Sequence, residues 1–400
     1  MFKQSLLAAA SMALTIGVAQ AQISDGVVKI GVLNDQSGTY ADLAGPGSVL
    51  AARMAVEDFD AAKKGMKVEI LAADHQNKPD VGSNIVRQWY DVDKVDVVVD
   101  VPTSSVALAV NEITREKNKA LIVSTGGTSD LTGKACSPNT IHWTYDTWAL
   151  ANGTGSAVVK TGGDTWFFLT ADYAFGHALE RDTEAAVEKA GGKVRGLVRH
   201  PFPTADFSSF LLQAQTSKAK VIGLANAGAD TTNAIKQGAE FGIVKGGQQF
   251  AGLLVFITDV HALGLDKAQG LMLTESFYWD LNDKTRAWSQ RFFERHKRMP
   301  TMAQAGVYSA VLHYLKAVEA LKSDEGPKVI AKMKAMPTDD PLFGKGSIRQ
   351  DGRKIHPMYL FEVKQPSESK GPWDYYKLRA TIPVDQAFRP ERDGGCALVK

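Results

Sequence analysis

Two hydroxyl-rich stretches carry the clearest chemistry in this 400-residue chain: Pro102-Thr103-Ser104-Ser105 and Ser124-Thr125-Gly126-Gly127-Thr128-Ser129. Each follows a short apolar run of β type. Hydroxyls beside free backbone N–H groups at a helix start favour a bound anion, because those amides are otherwise unpaired and the helix dipole adds a favourable field. A carboxylate suits such a place, with Ser104, Ser105, Gly126 and Thr128 as the candidate contacts. Plain N-capping is the alternative use of Ser104 and Thr128.

A second set of candidates is aromatic or amide-bearing. It comprises Tyr40 at the end of Asn34 to Tyr40, Tyr173 and Phe175 in Asp172-Tyr173-Ala174-Phe175-Gly176, Asn226 in Asn226-Ala227-Gly228-Ala229-Asp230, and Tyr278 and Trp279 in Ser276-Phe277-Tyr278-Trp279-Asp280. The last group clusters three aromatics at an expected crossing between lobes, where flat faces suit a flat ligand. Hinge or core packing is the other use of these rings.

Catalytic signatures are missing. The first strand runs into Asn34-Asp35-Gln36-Ser37-Gly38, without the spaced glycines of a dinucleotide site, and no P-loop, nucleophile elbow or paired-histidine zinc helix is present. The eight histidines are dispersed, and His261 and His313 sit in apolar surroundings that suit core residues. No enzyme activity, cofactor or metal is expected.

The elements that must position these residues alternate along the chain. Val27 to Leu33, Lys67 to Ala73, Val95 to Val101 and Ala120 to Thr125 are near-continuously apolar, as strands covered on both faces are. Between the first two, Val49, Ala52, Val56 and Phe59 recur at helical spacing. The pattern restarts after Ile141 to Tyr145, with strands at Thr165 to Thr170, Gly192 to His200, Ala219 to Ala225, Phe250 to Ile257 and Gly270 to Thr274 and a helix over Phe175 to Ala190. Long helices at Asp283 to Lys297 and Ala303 to Ser323 and a late antiparallel hairpin, Met358 to Lys364 with Asp374 to Thr381, follow. The fold class is therefore α/β, with two doubly wound parallel-sheet lobes joined by a hinge that the chain crosses near Ile141, Glu275 and Arg349. The expected division is 1–21 signal peptide, 22–141 plus 276–349 first lobe, 142–275 plus 350–381 second lobe, and 382–400 C-terminal tail. In open parallel sheets ligands bind beyond the carboxyl ends of the strands, which is where both candidate sets fall.

The first residues read as an export signal: Lys3, an apolar run from Leu6 to Ala19, and a small-x-small cleavage site at Ala19-Gln20-Ala21, leaving Gln22 as the mature N-terminus. An N-terminal membrane anchor needs a longer apolar run and a basic flank after it. A periplasmic location is expected. The formal net charge is +2 and falls by one unit with Lys3, which leaves no electrostatic case for nucleic acid or anionic membrane. Cys136 and Cys396 are the two cysteines, and an even count in an oxidising compartment favours a disulfide over two buried thiols. That bond would close a loop of about 260 residues, an entropic constraint on the order of 5 kcal/mol.

With these features in place, the chain resembles the periplasmic solute-binding proteins of ABC importers of the leucine/isoleucine/valine-binding type (type I periplasmic binding proteins), over essentially the whole mature length. The residues that carry the resemblance are VVKIGVLNDQSGTYADLAGPG, DHQNKPDVG, Ser104-Ser105, STGGTSDLTG, TADYAFG, LANAGADTTNAIKQGAEFG and AGVYSAVLHYLKAVEA, in that order. The resemblance implies that Ser104 and Thr128, with the backbone of Gly126, hold a ligand carboxylate, and that Phe175-Gly176 is the aromatic–glycine pair of the second lobe. It also implies a permease partner in the inner membrane. Amino-acid binders of this type use a glutamate to hold the α-ammonium, whereas FAGLLVFITDVHALG has none and Asp259 is the only nearby acid. A buried ammonium without a counter-charge is costly, so the expected ligand is a small carboxylate without an amine, as in the aromatic-acid-binding branch. A branched-chain amino acid is the alternative within the class. A ligand-presenting sensor partner and an exported α/β enzyme are the alternatives outside it.

Overall fold

The computed structural model describes residues 23–400, so the expected signal peptide lies outside the described residues. Five parallel strands, β1 (Val28–Asn34), β2 (Val68–Asp74), β3 (Val97–Asp100), β4 (Ala120–Val123) and β5 (Thr140–His142), form a first sheet in the order β2-β1-β3-β4-β5. Four more, β6 (Thr165–Ala171), β7 (Lys193–His200), β8 (Val221–Ala225) and β9 (Gln249–Gly252), form a second parallel sheet in the order β7-β6-β8-β9. The second repeats the first four positions of the first. In both, the chain reverses direction across the sheet after its first strand, so each has a switch point, between β1 and β3 and between β6 and β8.

Alternate residues of one strand enter different cores, which shows how each sheet is covered. Val97, Val99, Ala120 and Ile122 pack with the helices Gly45–Phe59, Met302–Leu321 and Gly326–Ala335, while Val98, Leu121 and Val123 pack with Val86, Val106 and Val110 of the helices Pro79–Gln88 and Ser104–Glu116. In the second sheet Trp166 and Phe168 face the helix Ala174–Lys189, and Phe167, Leu169, Ile222 and Leu224 face the helices Ser208–Thr216 and Ala229–Glu240. The helix Met302–Leu321 is buried along most of its length and starts on a capping box, Thr301 Oγ1 accepting from Gln304 N and Gln304 Oε1 from Thr301 N.

The late strands are β10 (Met272–Glu275), β11 (Thr338–Asp340), β12 (Gly344–Ile348), β13 (Lys354–Ile355), β14 (Met358–Val363) and β15 (Tyr376–Ile382). The run at 270–274, read from sequence with the second lobe's strands, does not extend the parallel sheet. As β10 it pairs antiparallel with β14 in a β10-β14-β15 sheet. β11, β12 and β13 form a small antiparallel sheet.

The chain passes between the two sheets after β5, after β10 and between β13 and β14. Residues 350–355, grouped with the second lobe from sequence, instead lie along β5: His142 N donates to Gly352 O, and His142 bridges to Arg353. The fully buried Arg353 guanidinium donates to Tyr145 O at 2.9 Å and Trp143 O at 2.8 Å, with Asp146 at 3.6 Å, and so binds the first and third crossings into one unit. Cys136 and Cys396 form a disulfide. Along the tail, Gln386 O accepts from Asn152, Arg389 donates to Ser129 O, and Arg349 donates to Arg389 O. Among the described residues no helix is long and apolar enough to cross a membrane.

Candidate ligand-binding site

Both switch points open onto one shared, nearly filled cleft. The first sheet's loops contribute Tyr40 and Leu43 after β1, Pro102 after β3, Thr125 after β4 and Tyr145 after β5. The second sheet's loops contribute Tyr173 and Phe175 after β6, Ala227 after β8, and Leu254 and Phe256 after β9. The two walls touch. Tyr40 Oη and Tyr173 Oη are 2.5 Å apart, and a Cβ placed on Gly127 would lie 2.9 Å from the Phe175 ring and 3.1 Å from that of Tyr145. Entry of a ring-sized molecule therefore requires the walls to part. Glycine at 127 keeps the first wall flat enough for second-lobe rings to reach it.

No lining side chain carries a charge at neutral pH, since burial raises the phenols of Tyr40, Tyr145 and Tyr173 well above their ordinary range. The fixed polarity comes from helix ends. Three helices begin beside lining residues, Ser104–Glu116, Ala174–Lys189 and Ala229–Glu240, and none has a side-chain cap at its N-terminus. The free first-turn N–H groups of the first two and the dipoles of all three produce a field that favours negative charge, while Ala229 N at the start of the third donates to Thr39 O. The third carries Asp230 in its first turn, which offsets part of that field, so the first two are the stronger anion-attracting ends.

The first wall is braced by hydrogen bonds. Ser104 Oγ accepts from Thr128 N at 3.2 Å, tying the loop after β3 to the loop after β4. Thr128 Oγ1 accepts from Asp130 N at 3.3 Å, a capping contact for the turn Ser129–Thr132. Tyr145 Oη donates to Thr125 O at 2.5 Å, and Thr125 Oγ1 donates to the Asp100 carboxyl. Burial pushes Asp100 up to about 6, against the opposing effect of hydrogen bonds from Thr125 and Asn34. On the second wall, Asp230 is pushed up to about 7 by burial. Its Oδ1 accepts from Thr204 N at 3.0 Å, and its Oδ2 is buried without a partner.

Of the sequence candidates, Tyr40, Tyr173 and Phe175 line the cavity. Ser104 and Thr128 are fully buried just behind it, joined to each other, and Gly126 is packed against Val101 O and Ala107. Ser105 is half-buried on its helix and does not line the cavity. Asn226, Tyr278 and Trp279 do not line the cavity, and their polar atoms are engaged within their own surroundings. Asn226 pairs with His200 Nε2 at 3.1 Å and accepts from Thr231 Oγ1. Tyr278 Oη and Trp279 Nε1 both donate to Trp373 O, at 3.2 and 2.8 Å, and Tyr278 packs on Tyr376 of β15. Asp259 caps its own helix, Oδ2 accepting from Phe256 N at 2.9 Å. Sequence reasoning passed over Leu43, Tyr145, Leu254 and Phe256, although the last two stand just after β9, where the strand-end rule directs attention.

Paired α/β sheets that meet at their carboxyl ends around one cavity define a two-lobed ligand-binding protein. The chain belongs to the periplasmic binding protein family, whose model matches residues 27–372. It is similar to a periplasmic binding protein from Burkholderia mallei, with 54% identity and a TM-score of 0.92, covering 94% of this chain and 100% of that one. It is also similar to a branched-chain amino acid ABC transporter periplasmic ligand-binding protein from Burkholderia xenovorans LB400, with 40% identity, a TM-score of 0.83, and 93% and 100% coverage. A solute-binding protein of an ABC transporter from R. palustris, solved in complex with benzoate, shares the fold at 23% identity and a TM-score of 0.81, with 93% and 100% coverage.

Proposed function

We propose that this chain is the ligand-binding component of an ABC importer, closing two lobes over a small carboxylate that lacks an amine, with a single-ring aromatic acid as the best fit. The observation that carries this reading is the lining itself. Rings and aliphatic side chains surround the cavity without a cation or anion, and uncapped helix ends supply the field for one negative charge. Where an α-ammonium would need an acid, the loop after β9 presents Leu254 and Phe256, and the carboxylate of Asp259 is engaged as a cap. The benzoate complex of the R. palustris protein accords with this chemistry on the same fold.

Closure shifts the population toward the form in which both walls contact the ligand, and that form would be delivered to an inner-membrane permease. Residues 1–21 fit a cleaved export signal, so the mature chain would work in the periplasm, and mass spectrometry of periplasmic extract should find an N-terminus at Gln22. A second reading, branched-chain amino-acid binding, is favoured by the name of the Burkholderia xenovorans relative. A thermal-shift panel of benzoates, hydroxycinnamates, short aliphatic acids and branched-chain amino acids separates the two. A rise of several degrees with aromatic acids alone is expected, and a rise with leucine alone overturns the proposal.

A further inference from the structure

The loop after β7, residues 201–207, reaches the mouth of the cavity through Phe202. This half-buried ring does not line the cavity, yet it stacks on both tyrosines that close it. Its centroid lies 4.5 Å from that of Tyr173, with planes 23° apart, and 5.2 Å from that of Tyr40, with planes 30° apart. Tyr40 belongs to the first sheet's loops, whereas Tyr173 and Phe202 belong to the second's, so the three-ring stack spans the cleft.

The loop is anchored on its own side. Thr204 N donates to Asp230 Oδ1 at 3.0 Å, the His200 ring pairs with Pro201 O at 2.8 Å, and Phe207 N donates to Gln237 Oε1 at 2.7 Å. On the opposite side, Tyr40 N donates to Asp35 Oδ2 at 2.8 Å. Phe202 therefore travels with the second sheet and Tyr40 with the first, and their contact exists only when the walls are together. Stacking also fixes the two tyrosine planes so that their hydroxyls meet at 2.5 Å.

We propose that Phe202 is a positioning residue for closure: without touching ligand, it holds Tyr173 and Tyr40 in one stack and so sets how long the closed form lasts. The inference rests on the hinge-closure reading above and adds a residue that governs release. Its predicted signature is kinetic, because a contact made only after closure slows opening and leaves docking on the first wall unaffected.

Single-molecule energy transfer between one dye on each lobe, recorded without ligand and with benzoate or 4-hydroxybenzoate as probes, tests it. Phe202→Ala should shorten the closed dwell time roughly ten-fold while leaving the closing rate and the melting temperature nearly unchanged. Phe202→Leu, which keeps apolar bulk without a ring face, should fall between. Combined with Tyr40→Ala, Phe202→Ala should add little further effect, since each removes the same stack. An unchanged dwell time in Phe202→Ala, or effects of the two substitutions that multiply independently, would overturn the assignment. If neither probe acid alters the wild-type traces, the aromatic-acid reading fails while the ligand-free dwell times still decide the role of Phe202.

Discussion

The two walls of the cavity are built from the same strand order and yet present different residues. The first presents Tyr40, Leu43, Pro102, Thr125 and Tyr145, braced from behind by the Ser104–Thr128 bond. The second presents Tyr173, Phe175, Leu254 and Phe256. Both walls carry rings and an uncapped helix end; the first adds the Thr125 hydroxyl to Tyr40, Leu43 and Tyr145, whereas the second is ring and aliphatic surface throughout. A repeated architecture thus diverges through the few residues after each strand, while the sheets beneath remain alike.

The strongest way to break this contrast is to put bulk on the flat wall. Gly127→Val drives side-chain atoms into the Phe175 and Tyr145 rings, and we expect affinity for the best-bound acid to fall about a hundred-fold or more by titration calorimetry, because the walls can no longer meet. Next in size, Ser104→Ala and Thr128→Ala, which remove the hydroxyls bracing the first wall, should each weaken binding by about 1 kcal/mol, the range for a single neutral hydrogen bond. Unchanged affinity in both variants would remove the first wall from charge recognition.

A smaller effect concerns pH. With its carboxyl pushed up to about 7 by burial, Asp230 is largely protonated in the folded protein below that value and becomes an anion behind the second wall above it. His200, 3.9 Å away, is lowered by burial and offers no compensating charge. Carboxylate affinity should therefore drop a few-fold between pH 6 and pH 8, and Asp230→Asn should flatten the profile. The same shift acts on folding. The unfolded carboxyl releases its proton near its ordinary value while the folded one retains it, so the contribution of Asp230 to stability falls as pH rises from about 4 to about 7. The melting temperature of Asp230→Asn should lose that decline. Smallest of all, Trp279→Phe should leave affinity within error, since the indole N–H is engaged by the Trp373 carbonyl and the ring does not line the cavity. A clear loss there would extend the second wall to the β14–β15 hairpin.

Much of this was legible from sequence because burial on both faces leaves an unmistakable apolar run. Val97 to Asp100 and Ala120 to Val123 read as strands, and the residues after them read as the site, since open parallel sheets place ligands there. The antiparallel pairing of β10 was not legible, because its direction is set by a partner far along the chain. That Tyr278 and Trp279 fall outside the lining was not legible, because an aromatic beside a crossing has two apolar surroundings available, and the Trp373 carbonyl that engages both comes from a distant loop. Phe202 follows an edge strand instead of a switch point, so no strand-end rule pointed to it. Asn226 stands at a strand end, but its amide is engaged by His200 and Thr231.

The bond between Cys136 and Cys396 acts on more than the ends it joins. The tail leaves β15 in the second half of the molecule and is fastened beside the turn Ser129–Thr132, whose first carbonyl also accepts from Arg389. Stitched down in this way, the strip of backbone beside the first wall is held by links that do not depend on the opposite wall. Under the proposed function, little ordering of that surface then remains to oppose capture of a guest.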